Sequence, residues 1–361
     1  MQKDSEEKAV SEPTIEELRA QIDALQGEIQ KLRSTEAKKS ILGGASKNAK
    51  LATNFVNLKE RKTLTGHFGK ICAMQWSRTG KNIVSAAQDG KLIIWSAFFQ
   101  HKLYVITLNS TWVMTCGYSP DGQHVASGGL DNNCTIYRLG DQKYHQVSQL
   151  RRHDGYLSTC NFTRKDEVLT SSGDKTCILW DLKDTPRVKS HFYGHNGDVV
   201  STSIDSTNPN MFVSGSSDKT SKLWDTRKKD AVMTFRDSQA DISSVDFMAG
   251  ANAFISGSED GVTRLYDLRT YKTMASYIAD TAVTSLGFSK TGRYFFAGYD
   301  DEVARVWSTL DTGETQDTSC QQLSGHSNRV SCLGVEPEEG KALCTGDWGT
   351  GQSAKLVIWS T

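Results

Sequence analysis

The chain has 361 residues, 42 Lys and Arg against 42 Asp and Glu, and eight cysteines. A net charge of zero gives no whole-chain pull toward nucleic acid or an anionic membrane. No Cys-x-x-Cys pair or zinc spacing occurs, so the cysteines read as reduced, cytosolic thiols packed as small hydrophobes, with no metal and no cofactor expected.

Residues 1–12 are polar and are expected to be disordered. The first thirty residues are too charged for a secretory signal, and no apolar run in the chain is long enough to span a bilayer. Gln2 and the final Ile358-Trp359-Ser360-Thr361 carry neither a myristoylation nor a prenylation motif, so no lipid is expected on this chain itself. Thr14-Ile15-Glu16-Glu17 fits a capping box, which opens a predicted helix over 13–42. Along it Ile15, Leu18, Ile22, Leu25, Ile29 and Leu32 alternate three and four residues apart. Ile at a and Leu at d favour a parallel two-stranded coiled coil about 27 Å long. A helix folded back on its own domain would show a broader apolar face. One so short is marginal alone and needs a second helix, from another chain. Residues 43–57 are a Gly- and Ser-containing connector.

From residue 58 a unit of roughly 42 residues recurs seven times, closing on Trp95, Tyr137, Trp180, Trp224, Tyr266, Trp307 and Trp359. A period near 40 with Gly-His early and Trp-Asp late marks four-stranded blades of an all-β, seven-bladed WD40 β-propeller over 58–361. The segment Arg61-Lys62-Thr63-Leu64-Thr65 precedes the first Gly-His and is out of phase. In a closed ring it becomes the outer strand of the last blade, which removes the open edges.

The repeats can be aligned with one another. Positions that recur serve the fold. His67, Asp89 and Trp95, His153, Asp174 and Trp180, and His195, Asp218 and Trp224, each with a Ser or Thr four residues before the Asp, form such sets. They predict a buried hydrogen-bond network in each blade, complete in three, and not a hydrolase triad, which would occur once. The last blade has Gly349 in place of the Asp and four additional residues before Trp359, predicting a longer hairpin and a weaker network. Positions that never recur are free for function. Three residues after the His position stand Lys70, Trp112, Tyr156, Asp198, Asp241, Ala282 and Arg329. One residue before the Asp position stand Gln88, Leu130, Gly173, Ser217, Glu259, Asp300 and Trp348. Two Trp, a Tyr, an Arg and a Leu around one channel mouth are the residue types of a protein-binding rim, with Met114 as a soft contact beside Trp112. No lone Ser/His/Asp or metal set argues for an enzyme.

With the heptad helix and seven blades in place, the chain resembles the β subunit of heterotrimeric G proteins over nearly its whole length. The most specific strings are Ser85-Ala86-Ala87-Gln88-Asp89-Gly90-Lys91-Leu92-Ile93-Ile94-Trp95, Trp112-Val113-Met114-Thr115-Cys116, Gly128-Gly129-Leu130-Asp131-Asn132 and Asn328-Arg329-Val330-Ser331-Cys332. The resemblance implies a non-catalytic transducer that pairs through its coiled coil with a small γ subunit. A lipid on γ holds the pair at the inner face of the plasma membrane. It implies a rim that binds the GDP-bound α subunit and, once free, effectors downstream of G-protein-coupled receptors. Lys70, Lys91, Lys102, Trp112, Met114, Leu130, Asn132, Tyr156, Asp198, Asp241 and Trp348 match the family's α-contact positions, and Arg329 joins them from the repeat comparison. Cys72, Asp154, Val200, Ser243 and Glu259 depart from the family pattern. A general WD40 scaffold of the kinase-anchoring or ubiquitin-ligase type would use the same rim without needing the heptad helix. No Gly-x-x-x-x-Gly-Lys-Ser/Thr phosphate loop occurs, so the chain itself is not expected to bind GTP.

Overall fold

The computed structural model describes residues 57–140, 143–310 and 321–361. The predicted coiled-coil helix over 13–42, with Ile15, Leu18, Ile22, Leu25, Ile29 and Leu32, lies outside the described residues, as does the segment 1–12. The described residues form seven antiparallel four-stranded sheets, the blades of a β-propeller. Blade one runs from its inner strand, Ile71–Trp76, through Asn82–Ala87 and Lys91–Ser96 to its outer strand, Lys102–Thr107.

The first strand, Lys59–Thr65, is the outer strand of blade seven and pairs with Lys355–Ser360, Leu64 opposite Leu356. One blade is thus built from both ends of the ring, which closes the sheet edges where the ring is joined.

The middle strands of each blade are buried on both faces, because each blade is packed between two others. Ile83, Val84, Ile93 and Ile94 of blade one are fully buried, and successive residues enter different clusters. Ile83 and Ile93 meet blade seven through Leu356 and Ile358, whereas Val84 and Ile94 meet blade two through Val113 and Val125. Unbroken apolar runs replace the alternation of a half-exposed strand. A glycine near the end of the second strand seats the next blade's inner strand. A Cβ at Gly257 would stand 2.4 Å from a Val283 methyl, and one at Gly128 2.6 Å from a Leu157 methyl. Hydroxyls on the channel wall add fasteners: Ser158 donates to the Val199 carbonyl, Ser243 to Val283 and Ser331 to Ile71. The last of these ties blade seven to blade one.

Candidate functional site

The recurring residues form the network that their spacing predicts. In blade one His67 Nε2 lies 2.7 Å from Ser85 Oγ, and the Trp95 indole N–H donates to the same oxygen at 2.8 Å. His67 Nδ1 faces Asp89 at 3.1 Å, and the Phe68 and Lys91 amides donate to that carboxylate. Blades three and four repeat the set with His153, Thr170, Asp174 and Trp180 and with His195, Ser214, Asp218 and Trp224. Burial alone would raise these Asp carboxyls. The His partners and backbone amides outweigh it and hold Asp89, Asp174 and Asp218 below the usual carboxylate value.

Blade seven corrects the expectation of a weaker network. His326 contacts Thr345 Oγ1 at 2.7 Å and Asp347 at 2.8 Å, and Trp359 donates to Thr345 at 2.8 Å. The carboxylate has moved two residues earlier in sequence. From the strand end, Asp347 accepts the Gly349 and Lys355 amides, and it is 0 % exposed. The network is therefore complete in four blades, not three. In blades five and six, where Ser238 and Ala279 replace His, an arginine from the third strand takes its place. Arg264 pairs with Asp260 at 3.0 Å and also donates to Ser238, while Arg305 pairs with Asp301 and lies 4.5 Å over the Tyr299 ring. Single-position alignment could not find these cations, since they come from a different strand.

The non-recurring positions share one face. In all seven blades the amide of the residue before the Asp position donates to the carbonyl of the residue three after the His position. The pairs are Gln88–Lys70, Leu130–Trp112, Gly173–Tyr156, Ser217–Asp198, Glu259–Asp241, Asp300–Ala282 and Trp348–Arg329, at 2.9–3.2 Å. The backbone thus fixes two side-chain positions per blade around one mouth of the channel, and only the side chains differ.

Trp112 and Leu130, bridged by that bond in blade two, are 49 % and 50 % exposed. Met114 lies on the channel wall beneath them, in a cavity of about 1070 Å³. Trp348 carries two cations against its ring: the Lys70 ammonium lies 4.8 Å from the centroid and the Arg329 guanidinium 4.3 Å. Arg329 is anchored to Asp300 at 3.1 Å, so blades one, six and seven together set the indole. The Trp348 indole N–H finds no acceptor among the described residues. The Tyr156 hydroxyl donates to Asp198 at 3.1 Å; burial, then the Asp198 charge, pushes the phenol up to about 12. Asn132 donates to the Asp154 carbonyl at 3.2 Å. Asp241 sits half-buried at its rim position.

Phe68, 60 % exposed with the Lys91 ammonium 5.4 Å from its ring, belongs to this face and was missed by the sequence reading. Its only signal was its place directly after the recurring His. Lys102 stands apart from the channel mouth, at the seam of blades seven and one, where it donates to the Gly66 carbonyl and covers Trp95.

The chain matches the family profile described as G protein beta WD-40 repeat protein over residues 12–360. The chain belongs to this G protein β family. It is 40% identical to the guanine nucleotide-binding protein subunit beta of Arabidopsis thaliana, with 98% of this chain and 96% of that protein covered. It is 46% identical to the subunit beta of Dictyostelium discoideum over 84% of this chain and 85% of that protein. It is 42% identical to the G(I)/G(S)/G(T) subunit beta-1 of Homarus americanus over 94% of this chain and 99% of that protein. The chain is thus a β subunit of the heterotrimeric guanine nucleotide-binding protein type, a class of WD40 proteins that is generally non-catalytic. Among its described residues no helix is long and apolar enough to cross a membrane.

Proposed function

We propose that this β subunit is a non-catalytic transducer whose channel-mouth rim binds the GDP-bound α subunit and, when vacated, effector proteins. The observation that carries the reading is the rim itself: seven backbone-bridged pairs whose side chains vary from blade to blade, with Trp112, Leu130 and the nearby Phe68 presented to solvent and Trp348 to cations. Aromatic anchors held in place lose little freedom on binding, which is what a hot spot requires. Trp348, with the Lys70 and Arg329 cations against its ring, is such an anchor. Lys70, Lys91, Tyr156, Asp198, Asp241 and Arg329 supply the polar surround.

Switching is competition for this surface. An α subunit whose switch segment is ordered differently by GDP and GTP fits over Trp112 and Trp348 in one state and loses the fit in the other. The heptad seam over 13–42 clasps a small helical γ subunit, and a lipid on γ places the cytosolic complex on the inner face of the plasma membrane. Titrating GDP-loaded and GTP-analogue-loaded α subunit onto the complex tests the reading. Tight binding of the GDP form and weakened binding of the other support it; equal affinity of the two forms overturns it.

A further inference from the structure

The most exposed large hydrophobic side chain among the described residues is Phe99, at 77 %, and its neighbour Phe98 is 62 % exposed. Tyr193, His195's near neighbour, is comparable at 63 %, but its ring lies 4.0 Å from that of His191 and its hydroxyl is bonded there. The two phenylalanines form the tip of the turn between the third and outer strands of blade one, the Phe99 ring 6.0 Å from that of His101. That turn is tightly pinned. The Gln100 amide donates to the Ser96 carbonyl at 3.1 Å, the Ser96 amide to the His101 carbonyl at 3.0 Å, and the Ala97 amide to the Lys81 carbonyl at 2.9 Å. The Lys62 ammonium donates to the carbonyls of both Ala97 and Phe98. Gln100 sits at φ 58°, the left-handed region, which closes the turn.

The surroundings are one-sided in charge. The three segments that meet there, 59–65, 77–82 and 96–102, carry six Lys or Arg and one acid, in a chain whose total charge is balanced. That acid, Glu60, accepts from Thr63 at 2.7 Å and faces Gly325 on the far side of its strand. Glu336, beside Gly80, is occupied by the amides of Glu338, Glu339 and Gly340.

We propose that the Phe98–Phe99 turn is a direct membrane contact, inserting both rings into an anionic lipid surface while Lys62 and Lys81 lie at the headgroups. Adjacent aromatics on a rigid tip within a basic collar match the chemistry of a bilayer interface: apolar burial below, phosphate and carboxylate charge above. The third strand separates this turn from the rim turn at Lys91 by six residues, about 17 Å at strand spacing. A bilayer held at the Phe turn therefore leaves Trp112 and Trp348 free. This adds a contact of the β chain's own to the indirect attachment through γ, and it does not depend on which partner the rim takes.

The test uses the full chain, purified with any subunit that accompanies it and without prenyl modification. Sedimentation with phosphatidylcholine vesicles containing 30 mol% phosphatidylserine, against phosphatidylcholine alone, measures partitioning. Binding to the anionic vesicles, weakened at least tenfold in Phe98→Ser/Phe99→Ser and weakened again by raised salt, is expected. Phe99→Trp is expected to keep wild-type binding and to show fluorescence quenched by brominated lipid beyond the wild-type background. Partitioning unchanged in the double Ser variant, or no added quenching in Phe99→Trp, overturns the proposal. Loss of α-subunit affinity in the Ser variant with vesicle binding intact would overturn it too, by making the turn a protein contact. Failure of Trp112→Ala to weaken α binding bears on the rim alone.

Discussion

Removing the Trp112 side chain is the sharpest single perturbation of the rim. Its ring is 49 % exposed, so a partner can still bury about half of it. A large aromatic buries 150–250 Å² when fully covered, so half of that at about 25 cal/mol per Å² is worth roughly 2–3 kcal/mol. The main chain stays in place, because the Trp112 carbonyl that accepts from Leu130 is untouched by the substitution. Trp112→Ala should therefore weaken binding of the GDP-loaded α subunit by about 30- to 150-fold, at 1.4 kcal/mol per tenfold. Isothermal calorimetry with purified α subunit reads this directly, and a thermal melt of the variant should stay within a degree or two of wild type. An unchanged Kd with an unchanged melt would exclude Trp112 from the α contact, since it would leave a half-exposed rim aromatic without a partner.

Other consequences can be checked with equally simple measurements. Asp347→Ala strands a buried His326, so it should cost about 2–3 kcal/mol in denaturant unfolding, as much as Asp174→Ala in an ordinary blade. Restoring the repeat's residue by Gly349→Asp should destabilise, not rescue, because its Cβ would lie 2.5 Å from the Ser353 backbone; a stabilised variant would contradict this. Asp246 accepts from Ser203 and from the Phe288 amide, but burial outweighs these and pushes its carboxyl up to about 6. A raised folded-state value means the stability is full below pH 4 and is lost as pH rises through 6. Asp246→Asn should therefore gain on wild type between pH 4 and 7, by about 1–3 kcal/mol, and the gap should stay constant above; a gap independent of pH would contradict the assignment. Ile22→Asp with Leu25→Asp should abolish recovery of a γ chain in pull-downs while leaving the propeller's melting temperature unchanged, and recovery of γ would remove the heptad assignment.

Blade count and rim were legible because a propeller writes its fold seven times. Comparing Asp89, Asp174 and Asp218 separates what the fold needs from what varies, and the variable positions proved to be backbone-bridged pairs on one face. What stayed hidden came from residues that do a recurring task from a non-recurring place. Asp347 reaches His326 from a strand end two residues early, because the longer hairpin left only Gly349 at the expected site. Arg264 and Arg305 replace histidines from another strand, which no comparison at equal positions reveals. The pair of cations on Trp348 needs Lys70, 278 residues away in sequence, so only ring closure brings it together.

The proposed function requires that the non-repeating rim, and not the opposite face, receives the nucleotide-gated partner. Hydrogen–deuterium exchange of the complex, with and without GDP-loaded α subunit, tests it most directly. Slowed exchange confined to the turns around 110–114, 128–133 and 347–354 is the predicted result. Protection that appears instead at 77–82 and 119–123, with those rim turns unchanged, would contradict it.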